Sequence, residues 1–383
     1  MLTKQRLIDF IISAAVFSQS VLVILELFWV DVLHMNEELA TTYRVLLTAV
    51  PMSIALLLSA FRRPTLFLVT YFLTALCLLV SVYFFPETGE FATKLGLRFT
   101  LPLVVGSALC LVCVYDIEVI HKTLYWISYI VLILSLFYFY QIYTYLGGFS
   151  MTDYNMSFSY ALLLPMASLY AHKKPISLLG AGAMMMMVLL VGSRGAAVFF
   201  VLYVFADIFL NHKKLIIPSV LIFSFLLVLL PAFSFYLDSI GIESRTIEQL
   251  LESDRSDQDS GRLDIYAQMW HVLEDNWFTG IGLFGDRIYL DVYCHNIVLE
   301  ILLNFGMVFG SIILLIFGGI ILSVFYHADL TDKNVLLLYF MATICPLLVS
   351  HSYLTDYNFG VFIGMLGCIA AHTKNIQTIS DTP

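Results

Sequence analysis

Long apolar runs broken by short polar stretches fill the sequence, near residues 9–30, 44–61, 65–85, 97–115, 123–144, 158–172, 175–192, 195–211, 215–236, 306–326, 334–351 and 358–372. A helix of about 20 apolar residues crosses a hydrocarbon core of about 30 Å. The pattern therefore predicts an all-α, polytopic integral membrane protein with about twelve transmembrane helices. An even number of spans puts both termini on one side. The interval 237–292 breaks the rhythm and predicts one large loop on the opposite side, so the chain divides into 1–236, 237–292 and 293–383.

The basic residues assign the sides. Alternate connections hold Lys4 and Arg6, Arg62 and Arg63, Lys122, Lys173 and Lys174, Lys213 and Lys214, Lys333, and Lys374, which together are 11 of the 19 Lys and Arg. All sit in short connections or termini, so by the positive-inside rule that face is cytoplasmic. The large loop is then extracytoplasmic, and both termini are cytoplasmic. The first span has the basic flank of a signal anchor without a small-residue cleavage site, and is expected to be retained.

Composition agrees. Sixty per cent of the 383 residues are hydrophobic and 12% are charged, against about 25% charged in soluble domains, and mean hydropathy is +0.91. A net charge of −9 names no partner until the charges are sorted by side. Nothing points to nucleic acid. The six cysteines offer no disulfide framework: Cys77, Cys110, Cys113, Cys345 and Cys368 fall within spans and Cys294 stands alone near the outer face.

Against this background Arg194, in "VGSRGA", is out of place, because an arginine in hydrocarbon costs several kcal/mol or more. Its position resolves the conflict. Arg194 lies 20 residues after Lys174 and 19 before Lys213, and 20 helical residues climb about 30 Å. The arginine therefore marks the outer end of a tight helical hairpin. It could simply snorkel to head groups. Gly192, Ser193 and Gly195 also let a ligand approach the backbone, and the following helix offers free N–H groups. That combination suits an anionic, oxygen-rich group such as phosphate.

The large loop carries twelve acidic residues, four arginines (Arg245, Arg255, Arg262 and Arg287) and no lysine. "SGRLDIYAQMWHVLEDNWF", residues 260–278, spaces Leu263, Tyr266, Ala267, Trp270 and Leu273 as the apolar face of an amphipathic helix near the outer interface. "TGIGLFG" ends it. In "VYCHNIVLEILLNFGMVFG", residues 292–310, Asn296, Glu300 and Asn304 recur every four residues and form one polar stripe, with His295 at its outer edge. The stripe should face protein or water, either as packing amides and a buried carboxylate or as part of a site. His295 can exchange a proton near neutral pH. No phosphate-binding glycine loop, dinucleotide fingerprint or clustered acidic metal motif is present. "DRSDQD", residues 254–259, lacks the glycine and terminal glutamate of a calcium loop, and Met184–Met187 reads as hairpin packing.

In this order and sidedness, "VGSRGA", a loop with "SGR" and Trp, "GIG", and "HN…E…LNFG" entering a late span resemble the O-antigen ligase and polymerase family of bacterial membrane glycosyltransferases. The matching motifs cover about residues 191–310. The resemblance implies a GT-C-like, metal-independent enzyme without cofactors. It would take a glycan from an undecaprenyl diphosphate carrier outside the membrane and pass it to a lipid-linked acceptor glycan (polymerase) or to lipid A core or another acceptor (ligase). Polymerisation of O-antigen, capsule or exopolysaccharide repeat units is the preferred expectation, with partners in the polysaccharide export pathway. By the same resemblance Arg194 and Arg262 hold the diphosphate and His295 is the general base or acceptor-orienting group. Arg287, Asn296 and Glu300 complete the candidate set as substrate-binding residues. A transporter or flippase of lipid-linked oligosaccharide would also need about twelve spans, but should show internal repeats with broken helices, and the two halves show no self-similarity.

Overall fold

A computed structural model describes residues 3–146, 155–239, 244, 246–247, 261–290 and 292–380. Among them the chain is helical, without a strand. Eight helices are long and apolar enough to cross a membrane: Lys4–Val32, Glu37–Arg62, Pro64–Phe84, Pro86–Val112, Ile117–Thr144, Arg194–Asn211, Lys213–Leu237 and Ile297–His327. They define a multi-pass membrane protein, and they fall on the first five, the eighth, the ninth and the tenth predicted segments. Shorter apolar helices, Met156–Ala171, Pro175–Val191 and Tyr357–Thr373, fall on the sixth, seventh and twelfth. The eleventh segment is Leu330–Tyr339, which continues through a wide turn at Phe340–Ile344 and a tight one at Cys345–Leu348. Pro346 has no N–H to continue the helix and lies where it unwinds.

Two compact units emerge. One comprises Met1–Ser53 with Glu118–Arg255; the other comprises Ile54–Ile117 with Ser256–Pro383. Of the sequence features singled out in the large loop, Arg245, Arg255 and residues 254–259 lie outside the described residues.

The first unit contains the hairpin Pro175–Val191 and Arg194–Asn211, joined by Gly192 and Ser193. At the end of the hairpin away from this turn, Asp207 is buried and accepts from Lys173 Nζ at 2.6 Å and from the Tyr170 hydroxyl at 3.1 Å.

The second unit holds two departures from the expected pattern. The loop helix runs over Arg262–Asp275, but its packed side is not the one the periodicity selects. Met269 and Leu273 are its buried residues, flanked by Ile265, Tyr266 and Val272, and they pack on Ile281, Cys294, Leu299 and Leu303. Leu263 and Trp270 are exposed. The expected face is thus rotated, because the stripe that counts includes Met269 and Ile265 rather than Leu263 and Trp270.

The second departure is in the long helix Ile297–His327, which is broken at Gly306, where φ is 77° and ψ 167°. The "GIG" loop fills the break. Met307 donates its N–H to the Trp277 carbonyl at 2.6 Å, and Ile281 donates to the Leu303 carbonyl at 2.7 Å. Backbone amides exposed by the interruption thereby find partners, as they must in an apolar setting. A Cβ on Gly280 would stand 2.4 Å from the Leu303 carbonyl oxygen, and one on Gly282 would stand 2.5 Å from the Phe85 ring. Both glycines have positive φ. We expect Gly280→Ala to destabilise the protein by about 2–3 kcal/mol, combining left-handed strain with the backbone collision. A thermal unfolding series in detergent checks this, with Gly318→Ala, which meets nothing within 4 Å, as control.

Candidate functional site

The frame of the site is an ion network in the second unit. Arg287 follows the docked "LFG" turn, whose Phe284 is fully buried among Leu78, Ala92, Leu283 and Leu354. This places the guanidinium between two carboxylates and a hydroxyl. Its Nη1 lies 2.5 Å from Asp286 Oδ1 and 3.3 Å from Glu300 Oε1, and its Nη2 donates to Ser352 Oγ at 2.8 Å. The network reaches the backbone as well. Asp286 Oδ2 accepts from the Cys294 N–H at 3.0 Å, and Glu300 Oε2 accepts from the Tyr353 N–H at 3.2 Å. The Ser352 hydroxyl donates in turn to Glu300. Burial opposes the charge on Arg287, but the facing Asp286 and Glu300 outweigh it and hold the guanidinium above its ordinary range.

One arginine thus ties together segments 286–287, 294, 300 and 352–353. Removing one member of a buried ion cluster strands the others and costs about 3–5 kcal/mol. We expect Arg287→Met to unfold at a correspondingly lower denaturant concentration. Arg287→Lys should recover only part of the loss, because a single ammonium lacks the fork that meets three partners.

His295 stands on this frame. The chain turns between Cys294, pinned to Asp286, and Asn296, whose Oδ1 accepts from the Val298 and Leu299 N–H groups and so caps the long helix. To make that turn His295 adopts φ 58°, an uncommon conformation for a residue with a side chain. The Tyr266 hydroxyl donates to its carbonyl at 3.3 Å, and the Tyr293 ring lies 4.4 Å from the imidazole, centre to centre. Burial, with Arg262 and His351 nearby, pushes the His295 pKa down to about 4. The imidazole is therefore neutral at pH 7 and able to accept a proton.

The other candidates occupy distinct places. Arg262 is the first residue of the loop helix, half-buried, and its charge acts directly on His295. Glu300 and Asn304 lie on one helix face and are buried, while Asn296 caps that helix rather than extending the stripe. Arg194 belongs to the first unit and begins the helix Arg194–Asn211, whose N-cap is Ser193. The Gly192–Ser193 turn before it is stitched on several sides. Ser159 Oγ accepts from the Ser193 N–H at 2.6 Å, Ser244 Oγ donates to the Leu189 carbonyl at 2.6 Å, and the Thr246 hydroxyl donates to the Gly192 carbonyl. A Cβ on Gly195 would meet the Tyr160 hydroxyl at 2.5 Å, which explains the second glycine of "GSRG".

His271, the other loop histidine, is exposed and pairs with Glu274 at 3.1 Å, away from this cluster's buried frame. His351 and Asp356, by contrast, join the site without having been singled out in the sequence. His351 closes an apolar run and reads there as the end of a span. The signal that could have found it is the dense polar stretch after it, "HSYLTDYN", residues 351–358.

A polytopic helical membrane protein with a loop-borne arginine beside a neutral histidine defines the class. Residues 179–315 match the family model described as O-Antigen ligase, in line with the resemblance to the O-antigen ligase and polymerase family. Arg194, Arg262, Arg287, His295, Asn296 and Glu300 all fall inside the matched segment. No curated protein and no solved structure matches the chain. The match supports a membrane glycan-processing function of the ligase or polymerase type.

Proposed function

We propose that the protein transfers a glycan from an undecaprenyl-diphosphate carrier to a lipid-linked acceptor glycan on the outer side of the cytoplasmic membrane, and so polymerises a surface polysaccharide. The observation that carries this reading is the placing of His295 at the mouth of the long helix, packed on Tyr293 and tied to the Arg262 helix through Tyr266, on a frame locked by Arg287. The acceptor hydroxyl oxygen attacks the anomeric carbon of the donor glycan. The bond from that carbon to the diphosphate oxygen breaks, and the diphosphate leaves with the electron pair. His295 takes the hydroxyl proton as general base. Arg262 holds the diphosphate, where charge gathers as the bond breaks, and bidentate guanidinium geometry fits phosphate oxygens; for Arg194, in the other unit, a diphosphate role is carried over from the family resemblance alone. In this reading the chain crosses the membrane twelve times with both termini cytoplasmic, a GT-C-like arrangement, and needs no metal. Arg287, Asn296 and Glu300 serve substrate binding through the positions of the His295 loop and the long helix.

A second reading, ligation to lipid A core or another acceptor, is favoured by the description of the matched family. One experiment separates the two. The purified protein is given a lipid-diphosphate oligosaccharide alone or with a lipopolysaccharide core. Lengthened lipid-linked product supports polymerisation. Turnover only with the core supports ligation. No product in either case removes the proposal.

A further inference from the structure

His295 has a counterpart. His351, in the loop between residues 348 and 357, also adopts left-handed backbone, with φ 60°. Three non-glycine residues of this unit adopt it, Phe284, His295 and His351. Tyr293 links the two histidines, 56 positions apart: its ring packs on His295, and its hydroxyl is hydrogen-bonded to the backbone of His351. Ser352, next to His351, is a direct ligand of Arg287 and Glu300. On its far side His351 has its Nδ1 4.0 Å from Asp356 Oδ2. Asp356 is fixed too, because its Oδ1 accepts from the Asn358 N–H at 2.9 Å where the last helix begins. A strained histidine with a carboxylate behind it is not what packing a loop requires.

We propose that His351, which has Asp356 close by, is a positioning residue of the acceptor site: it forms the wall against which the His295 imidazole is set to face the acceptor hydroxyl. This inference rests on the transfer reaction proposed above. It assigns His351 to turnover rather than to donor binding, since the Arg262 side of His295 is where the diphosphate would lie. The groups placed near His295 are Arg262 and Tyr266 from the loop helix, Tyr293 from its own loop, and His351, whose own neighbour is Asp356. Asp286, Arg287 and Glu300 lie behind Tyr293. His351 is one of the groups that lower the His295 pKa, after burial and Arg262.

The test replaces His351 with Asn, which tolerates left-handed backbone, and separately with Gln, in the full-length protein in nanodiscs. Two measurements are made. Steady-state transfer from a lipid-diphosphate oligosaccharide should show kcat reduced on the order of tenfold or more, with the donor KM unchanged. Titration of the His295 ring by NMR of histidine-labelled protein should show its midpoint moving upward from about 4, because an electrostatic interaction that lowers it has gone. Asp356→Asn should lower kcat in the same way as the His351 variants. Unchanged kcat and an unmoved midpoint overturn the proposal. So does a uniform loss at every pH with the midpoint fixed, which would give His351 a purely architectural role. If the unaltered protein transfers no glycan from any lipid diphosphate, the proposed reaction falls, while the titration still decides whether His351 governs His295.

Discussion

Replacing His295 with asparagine is expected to reduce transfer by roughly 10²–10⁴-fold, the contribution of a positioned general base. Asparagine is chosen because it accepts the left-handed backbone found at this position. The variant should therefore insert, fold and bind the donor, and lose only the proton acceptor. Its pH dependence makes the role explicit. The active form is the neutral imidazole, and burial with Arg262 and His351 holds its pKa at about 4 rather than the usual 6.5. Activity of the unaltered protein should persist as pH falls from 7 to 5 and decline as pH passes through about 4. In the asparagine variant that decline should vanish from the residual rate. An unaltered rate in His295→Asn removes the residue from the chemistry, and a decline centred near 6.5 contradicts the environment described for it.

The second large effect concerns the arginines. Arg262→Lys and Arg194→Lys keep the charge but replace a planar fork with a point donor. Each should lower kcat/KM for a lipid-diphosphate donor by about 10–100-fold, the scale of one or two charge-assisted hydrogen bonds lost. The loss should appear in donor KM as well as in kcat. Both side chains are half-buried and lie at helix beginnings rather than in the core, so stability should change little. Arg262→Lys leaves a cation beside His295, and the acid decline should stay near 4; Arg262→Gln removes it and should move the decline upward. Normal donor turnover in both lysine variants rules out a diphosphate role for these residues.

The order of helices was legible because hydropathy is a one-dimensional signal, and the positions of the apolar runs correspond to helices throughout the described chain. The "GSRG" hairpin was legible for the same reason: its turn falls midway between two basic clusters one helix length away on either side. What depends on contacts between distant segments was not. Arg287 stood in the candidate set as a substrate-binding residue, and only the fold brings it to Glu300 and Ser352, 13 and 65 positions away. His351 was hidden by its attachment to an apolar run. The face of the loop helix was misread because helical spacing ranks Leu263 and Trp270 as well as Met269 and Ile265, and only the partner surface decides between them. The periodic pattern also gave Asn296 a place on a polar stripe, whereas its position one residue before the helix turns its side chain back onto the first amides.

The interruption at Gly306 also fastens the loop helix to the long helix. Amides on both sides of it are shared with the strip of chain that carries Trp277 to Ile281. Met269 and Leu273 add a second attachment by packing on Leu299 and Leu303, so the loop helix is moored by backbone and side chains at once.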